Sequence, residues 1–378
     1  MRVLVASTPG AGHFLAVAPF AVALTGAGHE VLAAVPSESV AIARQAGLET
    51  WVLDDLTREQ VGQVFSSLPP DRPRDAGATL VRELYGRLHT PAALPGMREA
   101  IGRFGPDLVL RETFHYASAL AAEEAGVPHV RVAPGMVGVD ASAVAHAAEG
   151  FRGLAGAATA IARSPLLTLA PASLDAPGPA VPAVICRYRD TTLPEPLTDE
   201  DRSWLASGKA PLVYVTFGSV ASGSRAFPML MRSTLAALGG LEVRALVTIG
   251  ERADRAFDQL PPNVRVARWV PQAHVLKHAS AMLCHGGFGT VLGGLYAGVP
   301  MVTMPMLSDQ PRNAARIEAL GAGVTLTREQ RTAPQVHDTL ARVLTDPAYA
   351  TAARRVAAEI STLPPVEKAV EYLEQQAG

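Results

Sequence analysis

A glycine-rich turn is the part of this sequence best suited to chemistry, because its residue types match those of a phosphate-binding loop. The turn reads His285-Gly-Gly-Phe-Gly-Thr290; an apolar run precedes it and a helical apolar pattern follows it. Glycines let backbone N–H groups approach an anion, and the N-terminus of the following helix favours negative charge. His285 and Thr290 add side-chain donors. With the apolar run at 301–304, the segment is a βαβ unit whose loop lies where parallel sheets bind ligands.

This turn does not match the common nucleotide-binding motifs. No Gly-Lys-Ser/Thr follows it, as in a Walker loop, and no G-x-G-x-x-G fingerprint fits it. The sequence around it resembles the donor-binding region of GT-B glycosyltransferases of family 1, the inverting nucleotide-sugar-dependent enzymes of natural-product and antibiotic pathways. Four elements of that region occur here in register: W-x-P-Q at 269–272, H-G-G-x-G-T at 285–290, G-V-P at 298–300 and D-Q at 309–310.

The resemblance implies a set of donor-binding residues, with roles for each part of the nucleotide sugar. Trp269 would frame the base, the Val270 backbone would read the base edge, and Gln272 would reach the ribose. Ser219 and the glycine-rich turn would contact the diphosphate. Asp309 and Gln310 would form hydrogen bonds with the sugar hydroxyls. Alternative roles stay open: the serine and Asp309 could cap helices, and Trp269 could belong to the core. The full set is Ser219, Trp269, Val270, Gln272, His285, Gly286, Gly287, Gly289, Thr290, Asp309 and Gln310.

His13 and Glu112 are the candidates for acid–base chemistry. His13 follows Gly12 at the first strand-to-helix turn, where side chains point towards ligands in doubly wound sheets. A histidine beside glycines is also suited to a structural cap, but the family resemblance implies that His13 is the base that deprotonates the acceptor hydroxyl. Glu112 ends the strand expected beside His13 and would orient its ring; pairing with Arg111 or Arg131 is the alternative.

Position 293 gives an expectation about the donor nucleotide. Many UDP-using relatives carry a glutamate three residues beyond the Thr or Ser of the turn, where it binds both ribose hydroxyls. Here Thr290 is followed three residues later by Gly293, so that carboxylate is missing. Deoxyribose lacks the 2′-hydroxyl. The sequence therefore favours a dTDP-sugar donor, with a UDP-sugar as the alternative.

The order of apolar runs and helical patterns predicts an α/β fold of the GT-B class, with two Rossmann-like domains. Prolines are frequent between residues 164 and 211, and no long amphipathic segment occurs there. We predict an N-terminal acceptor-binding domain at 1–195, a linker at 196–210, and a nucleotide-sugar-binding domain at 211–362. The resemblance implies that the domains face each other across a cleft. It also implies that a C-terminal helix at 363–378 crosses back to the N-terminal domain.

Composition excludes several classes of protein. The net charge is −2 with no basic run, which argues against nucleic acid as a partner. The apolar stretch at 14–24 is interrupted by Pro19 and is too short to span a bilayer, so no membrane span is expected. Two cysteines far apart in sequence, Cys186 and Cys284, are typical of a reduced, cytoplasmic protein.

Two motifs resemble metal sites without meeting their requirements. Asp199-Glu-Asp201 is a D-x-D in the proline-rich region, where capping of a short helix explains it. His274 and His278 have the spacing of zinc ligands on one helix, but no H-E-x-x-H and no third ligand accompany them. We predict no metal and no other cofactor.

We therefore expect an inverting glycosyltransferase that transfers a sugar, in particular a deoxysugar from dTDP, to an apolar natural product such as a polyketide aglycone. The acceptor pocket is expected from the segment 56–104 and from 141–162, whose alanine-rich pattern predicts one helix. Phe14, Phe114 and His115 are expected among the pocket residues. The alternatives are a UDP-glucose-type transferase with broad acceptors, a nucleotide-sugar epimerase of GT-B fold, or a non-catalytic partner that binds a nucleotide sugar. The sequence leaves a homodimer open.

Overall fold

The structure is a computed structural model of the 378-residue chain, and it describes residues 1–68, 73–137, 143–175, 184–218, 227–250 and 260–378. Contacts divide the chain into two units. Unit 1 consists of Met1–Thr192 and Leu363–Gly378, and unit 2 consists of Leu193–Thr362. Each unit contains one parallel β-sheet and its helices, as the sequence predicted.

The sheet of unit 1 has the strand order β3-β2-β1-β4-β5-β6-β7. The order reverses between β1 and β4, which is the Rossmann switch point where such sheets bind ligands. Strands β6 and β7 lie in a proline-rich stretch in which the sequence indicated no long element; each has three residues, too few for a pattern to show. The strands are β1 Arg2–Ala6, β2 Glu30–Pro36, β3 Glu49–Leu53, β4 Leu108–Glu112, β5 His129–Val132, β6 Leu166–Thr168 and β7 Ile185–Arg187.

Helices connect these strands, and one segment of unit 1 is π-helical. The π-helix is Val81–His89, between two α-helices with which it is continuous in sequence. The α-helices are Ala11–Gly26, Val40–Gln45, Arg58–Ser66, Pro73–Leu80, Thr90–Phe104, Tyr116–Ala125, Ala143–Gly150, Ala158–Arg163 and Ala369–Ala377, with 3₁₀ turns at Ser37–Ser39, Arg152–Leu154, Ala172–Leu174 and Val366–Lys368.

The alanine-rich segment 141–162 was expected to be one helix, and this prediction was wrong in its described part. The segment contains the helix Ala143–Gly150, a 3₁₀ turn and the helix Ala158–Arg163. Gly150, Gly153 and Gly156 interrupt the alanines. Because each glycine in a helix interior costs about 1 kcal/mol relative to alanine, three within seven residues end the helix early.

The C-terminal helix belongs to unit 1, as the resemblance implied. Helix Ala369–Ala377 contacts helix Ala11–Gly26, and the Leu373 side chain is fully buried. The Thr191 hydroxyl donates to the Glu367 carboxylate over 2.7 Å, which ties the segment down just before the helix. No helix within the described ranges is both long enough and apolar enough to cross a membrane.

Unit 2 repeats the same topology, with the order β10-β9-β8-β11-β12-β13 and a switch point between β8 and β11. Its strands are β8 Leu212–Thr216, β9 Arg244–Thr248, β10 Val264–Ala267, β11 Ala279–Cys284, β12 Met301–Thr303 and β13 Gly323–Thr325. Its helices are Asp199–Ala206, Phe227–Gly239, Gln272–Leu276, Phe288–Tyr296, Gln310–Ala319, Ala333–Thr345 and Pro347–Thr362, with a 3₁₀ turn at Arg328–Gln330.

Candidate active site

The switch point of unit 1 brings His13 and Glu112 together. Ala6 at the end of β1 pairs with Arg111 of β4, so the turn after β1 lies beside the end of β4. Nδ1 of His13 lies 3.3 Å from Oε2 of Glu112; the Glu112 side chain is fully buried, and 24% of the His13 side chain is exposed. A carboxylate this close to Nδ1 favours the proton on that nitrogen, which leaves Nε2 as the basic nitrogen.

Glu112 is held in place by neutral donors from two other parts of unit 1. The Thr8 hydroxyl donates to Oε2 over 2.8 Å, and the Phe114 backbone N–H donates to Oε1 over 2.9 Å. The guanidinium of Arg111 contacts the Thr113 carbonyl, over 3.0 Å, among other groups. These bonds hold the Glu112 carboxylate beside His13. Thr8 is a partner that sequence reasoning missed, because no motif marks it.

His13 does not cap the helix in which it lies. Helix Ala11–Gly26 has Gly10 at its N-cap, with no side-chain cap hydrogen bond. His13 lies in the first turn of the helix, and its ring is directed at Glu112 instead of the helix start.

Two aromatic rings border His13 in unit 1. The Tyr85 hydroxyl lies 3.2 Å from His13 Nε2. The Tyr85 ring stacks on the Phe114 ring, with centroids 5.2 Å apart and an interplanar angle of 14°. Both rings meet the imidazole at steep angles, with centroids 5.8 Å and 6.0 Å from it. Tyr85 was not singled out in the sequence, because it lies in a polar helical stretch without a motif.

Of the three acceptor-pocket candidates, Phe114 alone borders His13. The Phe14 side chain is fully buried. His115 is also fully buried, and its Nδ1 accepts the Ser118 backbone N–H over 3.2 Å. It serves as the N-cap of helix Tyr116–Ala125. Burial holds the pKa of His115 well below its ordinary value, so the ring is neutral.

The switch point of unit 2 brings His285 beside Gly218. Cys284 of β11 pairs with Thr216 of β8, so the residues that follow each strand are neighbours. A Cβ on Gly218 would lie 2.8 Å from His285 Nε2, and one on Gly287 would lie 2.3 Å from the same atom. The imidazole therefore occupies space that exists only because both positions are glycine. Gly218 and Gly286 also have positive φ angles, +73° and +81°.

Electrostatics at His285 favour an uncharged ring in the unliganded protein. Burial lowers the pKa of His285, and the nearby Asp309 carboxylate opposes this shift. A bound diphosphate would add negative charge at the same place and favour the protonated form.

The glycine-rich turn leads directly into a helix. Helix Phe288–Tyr296 has Gly287 as its N-cap, so its first backbone N–H groups point back into the turn. Gly289 is exposed, and a Cβ there would meet no atom within 4 Å. Thr290 is half-buried one position further on. Backbone donors, the helix dipole and one hydroxyl thus meet at the turn, which is the chemistry that binds phosphate.

The D-Q pair is placed against the same turn by Asn313. Asn313 is buried, and its amide donates to the Gly286 carbonyl over 3.0 Å and to Asp309 Oδ2 over 2.7 Å. Asp309 occupies the N-cap position of helix Gln310–Ala319 but makes no side-chain cap hydrogen bond. Gln310 Oε1 accepts the backbone N–H of Met306 over 2.7 Å, so it also supports the preceding loop. Asn313 was not among the predicted site residues.

The W-x-P-Q element has one exposed ring and one buried side chain. Trp269 is 62% exposed, which excludes a core role, whereas Val270 is buried. The Gln272 amide donates to the Gly289 carbonyl over 3.2 Å. A Cβ on Gly293 would lie 2.6 Å from Gln272 Nε2, so the Gln272 amide fills the space beside Gly293. Ser219, the remaining donor-binding candidate, lies outside the described residues.

The apparent metal motifs have structural roles. Thr198 caps helix Asp199–Ala206 by accepting the Asp201 N–H over 3.1 Å, and Arg265 pairs with Asp201 over 2.8 Å. His274 Nε2 lies 2.9 Å from the Glu195 carbonyl oxygen. Within the part of the chain that the structure describes, no three His, Cys, Asp or Glu residues are grouped to hold a metal ion.

Comparison with known proteins matches both sequence and fold. Residues 232–375 match the family model described as erythromycin biosynthesis protein CIII-like, C-terminal domain. The chain is 32% identical to the elloramycin glycosyltransferase ElmGT of Streptomyces olivaceus over 393 aligned residues, 96% of this chain and 94% of that protein. It is 31% identical to the L-demethylnoviosyl transferase of Streptomyces niveus over 350 residues, 91% of this chain and 88% of that protein.

Solved structures of glycosyltransferases also match this chain over almost its whole length. The spinosyn rhamnosyltransferase SpnG matches with a TM-score of 0.82 and 26% identity, over 99% of this chain and 100% of that one. The glycosyltransferase SsfS6 of Streptomyces sp. SF2575, in complex with thymidine diphosphate, matches with a TM-score of 0.80 and 26% identity, over 99% of each chain.

Two Rossmann-like sheets and these structural neighbours define the fold as GT-B, which confirms the predicted fold class. The chain belongs to the family 1 natural-product glycosyltransferases and is a glycosyltransferase enzyme.

Proposed function

We propose that this glycosyltransferase moves a sugar from a dTDP donor to a hydroxyl of an apolar natural product, with inversion at the anomeric carbon and His13 as general base. The observation that carries the proposal is the contact of His13 Nδ1 with the buried Glu112 carboxylate over 3.3 Å. This contact supports the proposed role, because a carboxylate beside Nδ1 leaves Nε2 as the nitrogen that would take the proton.

The reaction would be a single displacement. As the acceptor oxygen bonds to the anomeric carbon, its proton passes to His13 Nε2. The bond from the anomeric carbon to the diphosphate oxygen breaks, and its electron pair leaves with the diphosphate. Glu112 stabilises the imidazolium that forms, because the carboxylate is buried where opposite charges attract strongly. Attack opposite the leaving group inverts the configuration.

The leaving diphosphate would be held by the glycine-rich turn of unit 2. His285, the backbone at Gly286 and Gly287, and Thr290 are donors at the N-terminus of helix Phe288–Tyr296. Donors that are already in place stabilise charge as it develops, without a reorganisation penalty. The thymidine diphosphate complexes of SpnG and SsfS6 support a nucleotide of this kind. Natural-product acceptors are supported by relatives named for elloramycin and aklavinone.

The preference for dTDP rests on the surroundings of Gly293. A glutamate there would have to displace Gln272, whose amide lies 2.6 Å from the position of a Cβ and bonds the Gly289 carbonyl. With Gly293 in place, position 293 offers the ribose no carboxylate, and the Gln272 amide lies beside it. We therefore propose that the site accepts deoxyribose without losing a hydrogen bond, because position 293 lacks the group that would bind a 2′-hydroxyl.

Calorimetric titration with dTDP and UDP tests this donor preference. The wild-type protein is expected to bind dTDP roughly fivefold more tightly than UDP, about 1 kcal/mol. The Gly293→Glu variant is expected to shift the ratio towards UDP, and Gly293→Ala, which adds the Cβ without the carboxylate, separates displacement of Gln272 from recognition of the hydroxyl. Tighter UDP binding by the wild type would contradict the preference for dTDP.

A further inference from the structure

We propose that Tyr85 competes with the acceptor for the base. Its hydroxyl makes a hydrogen bond to the basic nitrogen of His13, and the acceptor hydroxyl must displace it to bind there. The proposal rests on the proposed role of His13 as base. The Tyr85 hydroxyl lies 3.2 Å from His13 Nε2, on the side of the ring away from Glu112.

The tautomer that Glu112 favours decides the direction of this hydrogen bond. When Nδ1 carries the proton, Nε2 can only accept, so the phenol O–H of Tyr85 donates to it. An acceptor hydroxyl approaching for deprotonation must make the same O–H to Nε2 contact. The two hydroxyls therefore compete for one lone pair.

The Tyr85 side chain is held in this position by its ring as well as its hydroxyl. It stacks on Phe114 with centroids 5.2 Å apart, and Phe114 is anchored by its own N–H, which donates to Glu112 Oε1 over 2.9 Å. The position of the Tyr85 ring is therefore tied, through Phe114, to the same carboxylate that lies beside His13 Nδ1. A departing Tyr85 ring would leave a face of Phe114 for a flat acceptor, which replaces both the hydrogen bond and the stack.

The backbone that carries Tyr85 is closely packed, so the exchange would occur by side-chain rotation. The π-helix Val81–His89 packs against helix Ala143–Gly150 through two glycines. A Cβ on Gly86 would lie 2.5 Å from the Ala147 carbonyl oxygen, and one on Gly150 would lie 2.0 Å from the Arg82 carbonyl oxygen. π-helical turns often occur at functional sites, and here the turn places Tyr85 over the base.

This arrangement gives the enzyme a way to select acceptors. A ligand with a flat apolar body and a hydroxyl can replace both the hydrogen bond to His13 and the stack on Phe114. A water molecule can replace the hydrogen bond alone. Tyr85 would therefore favour aromatic hydroxyl acceptors over water at the base, which protects the activated donor from hydrolysis.

Chemical modification of His13 tests the proposal without needing an acceptor or turnover. Diethyl pyrocarbonate reacts with unprotonated imidazole nitrogens, and peptide mass spectrometry measures the rate at His13. In Tyr85→Phe the rate is expected to rise roughly two- to tenfold, the equivalent of one neutral hydrogen bond. The exposed His278 serves as the internal reference, and Tyr349→Phe, a half-buried tyrosine of unit 2, as the matched control. An unchanged rate at His13 in Tyr85→Phe would overturn the proposal.

Transfer kinetics show whether the acceptor displaces Tyr85 or is positioned by it. If the acceptor displaces Tyr85, Tyr85→Phe lowers the acceptor KM by a similar factor and raises acceptor-free donor hydrolysis. A higher acceptor KM would mean that Tyr85 orients the acceptor, and would refute its displacement. Failure of the proposed base is distinguishable, since it would appear as retained activity in a His13 variant whatever the result at Tyr85.

Discussion

Replacing His13 with alanine is expected to lower kcat by about 10²–10⁴-fold, the usual contribution of a general base. The reason is local: His13 Nδ1 lies 3.3 Å from the buried Glu112 carboxylate, and its Nε2 is the nitrogen in position to take a proton. Affinity for dTDP is expected to stay within about twofold, because the candidate donor residues belong to unit 2 and His13 belongs to unit 1. Steady-state transfer rates and calorimetry measure the two quantities.

Two further variants make this result interpretable. His13→Gln keeps a polar side chain but cannot act as a base, so it is expected to be as impaired as His13→Ala. His278→Ala removes an exposed histidine of unit 2 and is expected to behave as wild type. If His13→Ala turned over as fast as the wild-type enzyme, or if His13→Gln were fully active, His13 would not be the base.

Gly287→Ala is expected to weaken dTDP binding by roughly 10- to 100-fold, about 1.5–3 kcal/mol. The added Cβ would lie 2.3 Å from His285 Nε2, an atom that also lies 2.8 Å from the position of a Cβ on Gly218. The imidazole must therefore leave its place, and a charge-assisted hydrogen bond to the diphosphate is lost with it. Calorimetric titration measures the affinity, and thermal unfolding shows whether the fold is kept.

Gly102→Ala is the matched control for this glycine substitution. Gly102 lies in helix Thr90–Phe104, is exposed, and a Cβ there would meet no atom within 4 Å. The control is expected to bind dTDP like the wild type and to gain up to about 1 kcal/mol of stability. Wild-type affinity in a folded Gly287→Ala protein would show that His285 does not hold the diphosphate.

The sequence predicted the fold well because the strands that carry the site are continuous apolar runs. Those runs and the turns after them predicted β1, β4, β8 and β11, and two switch points follow from their order. Placement of Glu112 beside His13 then needs no motif, since β1 and β4 are neighbours in any sheet of this order. The site residues remain predictions that the experiments above address.

Residues that act through packing could not be found in this way. Thr8 and Tyr85 reach the candidate site through side-chain contacts, over 2.8 Å to Glu112 and 3.2 Å to His13, and nothing in their sequence neighbourhood indicates this. Burial of a side chain is equally hard to predict: Phe14 and His115, both expected in the acceptor pocket, are fully buried. The prediction of one helix over 141–162 failed for a similar reason. The many alanines in this segment favour a helix, and the pattern did not show that Gly150 would end it.

The configuration of the transferred sugar tests the central claim most directly. The enzyme would be incubated with α-linked dTDP-sugars and a panel of phenolic and polyketide aglycones, and the anomeric proton of each product examined by NMR. Single displacement with His13 as base predicts a β-linked product and release of dTDP. An α-linked product would require a different mechanism and would contradict the role that we propose for His13 and Glu112.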